Sequence, residues 1–318
     1  MKTFTIPGSK KQFSQVLIGI DLIARFSYEE AAALLDDALA LGFNAFDTAW
    51  VYGGGDSERI LGNWMEERSN REKIFILTKG AHHNRDRKKV TPYDITADLM
   101  DSLARLKTSY VDLYVLHRDD PNKAVGPIMD ILNEHQKAGL IHAFGASNWT
   151  HQRIKEANTY AKEKGLVPMV ASSPNYSLCE QVDNPWGEGC VTIGGAKEAA
   201  ARSFYQEEDI PVFPYSSLGR GMFSGRVNRE NYGEVLDNAA IKAYAHEVNF
   251  LKLDRAHILA EQKGLKVPQI ALAYLLNQPF KVYPLVGAAS KQELAETLAS
   301  TEIELSKKEL DWLERGDS

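Results

Sequence analysis

The chain has 318 residues, and its 37 basic and 43 acidic side chains leave a formal net charge of −6. That balance argues against a nucleic-acid surface or a basic membrane face, and the 44% hydrophobic and 25% charged fractions are those of a soluble globular protein. No apolar run approaches the ~18 residues of a spanning helix, and the opening MKTFTIPGSKKQF lacks the apolar core of a secretory signal. Two cysteines, Cys179 and Cys190, cannot by themselves build a disulfide framework or a four-ligand zinc site, so a reducing cytoplasmic setting is expected.

Short apolar, β-branched runs alternate with helical periods. Residues 16–20 read as a strand; Ser27 and Glu30 have the spacing of a capping box ahead of a helix over 31–41. A second strand, 45–46, ends at Asp47, and Ser57 is placed to cap a helix reaching Glu67. A third strand, 74–78, ends at Lys79. Thr91 and Pro92 then predict an N-cap and a first helical position for a helix over 93–106. A fourth strand, 111–116, ends at His117, and Gly139 stops a helix over 127–138. Strands over 143–146 and 169–172 end at Ser147 and Ser173, with a helix over 151–164 between them. A long loop holding Pro185 and Trp186 precedes a helix over 196–207, and a seventh strand, 212–214, ends at Tyr215. Helices over 251–263 and 268–277, a last strand over 282–285, and helices over 291–300 and after the Ser306–Glu309 capping box complete the chain.

Eight strands, each followed by a helix, imply a parallel sheet. Eight such units in this length fit an α/β fold of the closed (β/α)8 TIM-barrel type, a single domain over 1–318. An open doubly wound sheet is the competitor. It would carry G-x-G-x-x-G after its first strand, which IGIDL at 18–22 does not supply, and Gly53, Gly54 and Gly55 lack the Lys-Ser/Thr of a P-loop and read as a turn.

Barrel active sites sit where the strands end, so the polar residues closing neighbouring strands are the candidates. Asp47, Lys79 and His117 close the second, third and fourth strands, and Tyr52 lies five residues past Asp47. Singly, each has an ordinary explanation as a cap, a solvated lysine or a loop histidine. Together they suit protonation of a carbonyl oxygen. A phenol is too weak an acid to protonate well at pH 7; a neighbouring ammonium favours the phenolate and improves it. Asp47 would hold Lys79 charged, and His117 would donate to the substrate oxygen. One histidine and one aspartate make a poor metal site, so no metal is expected. His82 and His83 are adjacent and read as loop residues, and the charged stretch 83–89 as a solvated loop.

These segments resemble those of the aldo-keto reductases. GFNAFDTAWVYG (42–53) is similar to the family's second-strand signature with catalytic Asp47 and Tyr52, ILTK (76–79) to the motif with catalytic Lys79, and DLYVLH (112–117) to the motif with His117. FGASNW (144–149) resembles the motif whose Ser147 and Asn148 bind the nicotinamide carboxamide. YSSLGRG (215–221) resembles the one in which Tyr215 stacks on the nicotinamide while Ser216, Ser217, Leu218, Gly219 and Gly221 embrace the pyrophosphate. VGA (286–288), with Gly287, and ELAE (293–296), with Glu296, resemble the adenosine-binding turn and helix, joined by Ser290, Lys291 and Thr297. The resemblance also assigns Gly19, Ile20, Asp47 and Ser173 to the cofactor. It implies a nicotinamide cofactor laid across the barrel mouth without a Rossmann domain, with carbonyl reduction as the activity.

The chain departs from the family pattern at Ser173, where many relatives carry Gln, at Thr297, where many carry Asn, and at Glu293 and Ser290, where basic residues are common. Lys291 next to Ser290 retains one positive charge, so NADPH is the expected cofactor with NADH also usable. Trp50 and Trp186, with Tyr52 and His117, are candidate walls of the substrate pocket; Trp186 equally suits packing of its loop. Tyr205 and Phe223 read as packing residues and the cysteines as buried ones. Two other activities compete: NAD-dependent oxidation of a sugar or alcohol, and cofactor sensing by a binding subunit with incidental turnover. The expected partner is a small carbonyl or alcohol, with neither nucleic acid nor membrane involved.

Overall fold

The computed structural model describes residues 1–316. They fall into two compact units, residues 2–173 with 287–291, and residues 174–286 with Met1 and the stretch from 292 onward.

The first unit carries a parallel sheet of strands β1 (Leu17–Gly19), β2 (Ala45–Asp47), β3 (Phe75–Gly80), β4 (Val111–Leu116), β5 (Ile141–Ser147) and β6 (Ser172–Ser173). Each pairs with the next, and the register matches Gly19 with Asp47, Asp47 with Leu77, Lys79 with Val115 and Ser147 with Ser173. The polar residues at the strand ends therefore stand on one edge of the sheet. β3 and β4 are buried throughout, as strands covered on both faces must be.

The connecting helices are α1 (Tyr28–Ala40), α2 (Asp56–Arg68), α3 (Pro92–Arg105), α4 (Val125–Lys137) and α5 (His151–Lys164). α1 has the expected capping box, Ser27 with Glu30, and α3 the expected Thr91 cap with Pro92 at its first position. α3 buries Ile95, Leu99 and Leu103, one stripe at helical spacing. Ser57 does not cap α2. The chain enters that helix through Gly53, Gly54 and Gly55, all at positive φ, so Ser57 falls inside the helix. Its fully buried hydroxyl meets Thr48 Oγ1 at 3.0 Å and donates toward the carbonyls of Ala49 and Tyr52 at 3.3 and 3.2 Å.

At the opposite edge, where β3 and β4 begin, an N-terminal hairpin the sequence did not announce pairs Thr3–Phe4 with Phe13–Ser14. Phe13 stacks on Phe75 at 4.5 Å. Buried Asp112 accepts from Arg71 and from the Ile76 N–H, each at 2.9 Å, with Lys11 Nζ at 3.4 Å. Tyr110 has the Arg71 guanidinium 4.0 Å over its ring and His142 stacked at 4.5 Å.

The second unit contains α6 (Ala199–Glu207), α7 (Tyr232–Val235), α8 (Asn238–Tyr244), α9 (Glu247–Lys263), α10 (Val267–Leu276) and α12 (Lys307–Arg315); α11 (Lys291–Ser300) begins in the first unit and continues here. α7 and α8 were not expected, and α9 starts at Glu247, ahead of the predicted 251. The predicted seventh strand is reduced to isolated bridges, Val212 with Val282 and, at its end, Tyr215 with Asn175. Pro211, Pro214 and Pro284 have no N–H to give, so the ladder reduces to Val212 N–H to Lys281 O, Tyr283 N–H to Val212 O and Leu285 N–H to Pro214 O, at 2.9, 2.8 and 3.0 Å. The last strand, β7 (Leu285–Gly287), lies beyond the expected 282–285. Phe223, Tyr205 and Cys179 are buried packing residues, as read from sequence, whereas Cys190, also expected to be buried, is half-buried. Among the described residues no helix is long and apolar enough to cross a membrane.

Candidate active site

β2, β3 and β4 deliver Asp47, Lys79 and His117 to neighbouring positions, and the turn after β2 brings Tyr52 back over them. Lys79 is 1% exposed and Asp47 4%. The Lys79 ammonium is hydrogen-bonded to Asp47 Oδ1 and donates to Tyr52 Oη at 3.0 Å and to the Thr48 carbonyl at 3.1 Å. Two carboxylate or carbonyl partners and a phenol satisfy all three ammonium protons. Burial works against the Lys79 charge, and Asp47 and Tyr52 outweigh it, holding the ammonium above its ordinary range.

Tyr52 departs from the expectation. Burial pushes its phenol up to about 12, and the nearby Lys79, pulling the other way, does not overcome it. His117 is driven well below the usual imidazole range, first by burial and then by the charges of Lys79 and its neighbours. It is therefore neutral. Its ring meets the Tyr52 ring edge-on, centroids 6.0 Å apart, and its Nδ1 is buried without a hydrogen-bond partner.

One neighbour was missed. His82, in the loop after β3 as expected, packs perpendicular to His117 with centroids 4.8 Å apart, and the His83 ring lies 4.4 Å from it. Only the adjacency of two histidines after Lys79 hinted at it. Trp50 is half-buried, with Lys89 Nζ 5.2 Å over its ring and its indole nitrogen buried without a partner.

Beside His117, Asn148 donates to the His117 carbonyl and to Ser147 Oγ, each at 3.1 Å, and Ser147 Oγ donates to the Ser173 carbonyl at 2.6 Å. Ser173 Oγ is fully buried and has no partner. An orphaned hydroxyl at the end of β6, beside the Ser147 and Asn148 side chains, has the chemistry to fit a carboxamide. Gly19 and Ile20 close β1, and the Ile20 N–H donates to the Asp47 carbonyl at 3.0 Å. Gly287 packs on Leu22: a Cβ there would lie 2.9 Å from Leu22 Cδ1. Lys291 is paired with Asp37 on α1 at 2.6 Å, and Ser290 precedes it at the opening of α11.

In the second unit, Ser216, Gly219, Arg220 and Gly221 all have positive φ, so the segment after Tyr215 is a succession of left-handed turns around Leu218. A Cβ on Gly219 would stand 2.4 Å from Cys179 Sγ, which only glycine avoids. The Ser217 hydroxyl is spent internally, on the carbonyls of Pro214 and Leu285 at 3.0 and 2.9 Å. Tyr215 meets Trp186 edge-on at 6.1 Å, and Trp186 also contacts Tyr244 at 6.4 Å. Glu296 is held by Lys266 and by Gln292 at 3.1 Å, and Thr297 is buried beside it. No group of three metal-ligating side chains occurs among the described residues.

Comparison with known proteins matches residues 16–316 to the family model described as "Aldo/keto reductase family". The chain is similar to norsolorinic acid reductase B of Dothistroma septosporum, 28% identical with 91% of this chain and 72% of the relative covered. It is similar to an uncharacterized oxidoreductase of Bacillus subtilis, 27% identical with 87% and 83% covered, and to the protein tas of Escherichia coli, 28% identical with 96% and 94% covered. A thermostable aldo-keto reductase crystallised with the inhibitor epalrestat superposes with a TM-score of 0.74 at 23% identity, covering 99% of each chain. That likeness shows the fold, the (β/α)8 barrel expected from the alternation of elements.

Proposed function

The chain belongs to the aldo/keto reductase family, and on that premise we propose that it reduces aldehydes or ketones to alcohols with NADPH, Tyr52 acting as the proton donor. The observation that carries the reading is the hydrogen-bonded chain from buried Asp47 and Lys79 to half-buried Tyr52, with a neutral, half-buried His117 against the same phenol. Neither oxidation of a sugar or alcohol nor incidental turnover in a sensing subunit is favoured, since the named relatives include reductases and an oxidoreductase.

The nicotinamide, when bound, supplies the hydride. The chain's own residues handle the oxygen and its proton. His117, neutral, offers an N–H to the carbonyl oxygen and orients it. Tyr52 gives up its phenolic proton as negative charge develops there. Lys79 stabilises the phenolate left behind, which a positioned cation in a dry site does effectively. Asp47 keeps Lys79 charged and aimed. Ser147, Asn148 and Ser173 would hold the carboxamide, and Gly19, Ile20 and Asp47 would serve the cofactor from the ends of the first two strands. The segment Tyr215, Ser216, Leu218, Gly219 and Gly221 would hold the ring and pyrophosphate, Ser217 through its backbone, since its hydroxyl is engaged. Gly287, Ser290, Lys291, Glu296 and Thr297 would serve the adenosine side. Trp50 and Trp186 are proposed substrate-pocket walls. The single-domain reading belongs to the same proposal, supported by a family match running through both compact units, as does the cytoplasmic setting, supported by the composition.

The test is a panel of aryl and alkyl aldehydes and ketones with NADPH or NADH, set against aldoses with NAD⁺. Cofactor oxidation by carbonyls supports the reading; turnover confined to aldose oxidation, or tight cofactor binding without turnover, overturns it.

A further inference from the structure

His117 is held differently from the other members of the cluster. Lys79 and Tyr52 are tied by hydrogen bonds, whereas His117 Nδ1 is buried with none. Its ring meets two perpendicular neighbours, Tyr52 at an interplanar angle of 87° and His82 at 84°. Edge-to-face pairs at such separations attract, and two of them fix the plane of a ring that no hydrogen bond orients at Nδ1.

His82 is itself pinned. Its Nδ1 lies 2.8 Å from the His83 carbonyl. A carbonyl only accepts, so Nδ1 carries the proton and the neutral ring keeps its lone pair on Nε2. Burial keeps it neutral, pulling its pKa down to about 4. The chain reaches this position through Ala81, which adopts φ +58. A side-chain-bearing residue enters the left-handed region at a cost, and such a conformation persists where its surroundings impose it. Here the Ala81 N–H donates to Asp98 Oδ2 at 2.8 Å, while Lys89 grips the other oxygen of Asp98. A carboxylate on α3 therefore clamps the turn that sends His82 back over the end of β3.

We propose that His82 is a positioning residue for His117, its ring set by the clamped turn at Ala81 so as to fix the plane in which His117 meets the carbonyl oxygen. This rests on the reading of the site given above.

Replacing His82→Ala should lower kcat for a carbonyl substrate by about 10- to 100-fold, the scale of a slightly misplaced catalytic group, with the NADPH dissociation constant unchanged. His82→Phe keeps the ring and loses both nitrogens, and should restore most of the rate. In a His117→Ala background, His82→Ala should cost nothing further, because the two act as a unit. With isotope-labelled histidine, the ring nitrogens of His117 should give one sharp tautomer in the wild type and broadened or averaged signals in His82→Ala. Wild-type kcat and unchanged His117 signals in His82→Ala overturn the proposal, as does His82→Phe being as slow as His82→Ala. Should the wild type reduce no carbonyl, it is the reading of the site that fails, and the nitrogen signals still decide the role of His82.

Discussion

Tyr52 Oη accepts a hydrogen bond from Lys79 Nζ at 3.0 Å. Because the ammonium is the donor, the phenol's own proton is directed elsewhere and remains available to another oxygen. Burial raises the phenol to about 12, so the proton stays in place throughout the neutral range. Lys79 matters less for the resting acid than for the phenolate formed once the proton has left.

Tyr52→Phe preserves the ring and its edge contact with His117 while deleting the proton donor. General acid catalysis contributes about 10²–10⁴-fold. We expect kcat to fall by that order with cofactor affinity intact, as read by carbonyl-dependent NADPH oxidation and by fluorescence titration of NADPH. A variant that retains wild-type kcat removes Tyr52 from the proton transfer.

Lys79→Met leaves Asp47 buried without its cation. Breaking a buried pair from one side costs about 3–5 kcal/mol, so the urea midpoint should fall along with turnover. Adding Asp47→Asn removes the stranded charge, and the double variant should recover stability without recovering rate. If the single variant unfolds at the wild-type urea concentration, the pair is not a buried ionic contact.

Below pH 6.5, the ordinary imidazole value, the unfolded chain takes up protons on His117 and His82 that the native protein refuses, since burial depresses both in the fold. Stability should therefore fall as the pH drops below 6.5, by roughly 1.4 kcal/mol per pH unit for each imidazole, with the His82 contribution levelling off near its folded value of about 4. Urea unfolding at pH 7, 6 and 5 should show a shallower dependence for His117→Asn than for wild type. Equal slopes would mean that His117 titrates in the native protein as it does in the unfolded chain.

Lys291 is paired with Asp37, and both are substantially exposed. Such a pair holds a lysine weakly, at about 0–1 kcal/mol, so a 2′-phosphate can take Lys291 from it. Lys291→Ala should weaken NADPH binding and spare NADH, and Asp37→Asn should tighten NADPH binding by up to about fivefold. Dissociation constants for both cofactors check it, and a loss shared equally between them means that Lys291 does not meet the phosphate.

Much of the site was legible because parallel strands end where their apolar runs end: Asp47, Lys79 and His117 each follow such a run directly. The caps at Thr91, Ser27 and Ser306 were equally readable, since capping is a local exchange between a side chain and an N–H three residues on. What escaped depends on depth or on distant partners. The Tyr52 phenol was expected to feel chiefly Lys79, but how far it is buried is not written in its neighbours along the chain. His82 does lie in the loop after β3, but its contact with His117 did not show, because its place is set by Asp98, on the following helix. The hairpin strands at Thr3 and Phe13 span two residues each, too short for alternation to show. The seventh strand looked continuous because its apolar side chains are right for a strand, while its prolines withhold the hydrogen bonds.

β4 carries Asp112 near its beginning and His117 just past its end. Five residues of extended chain set them about 17 Å apart. Asp112 is paired with two cations, Arg71 and Lys11, so at that range His117 faces a compact charge cluster, not a bare carboxylate. The strand thus works as a spacer between a structural end and a chemical end. Heat tolerance can be selected or engineered through Lys11, Arg71, Tyr110 and His142 while the kinetics are left alone, and sequences under opposite pressures at the two ends can drift without trading one property for the other.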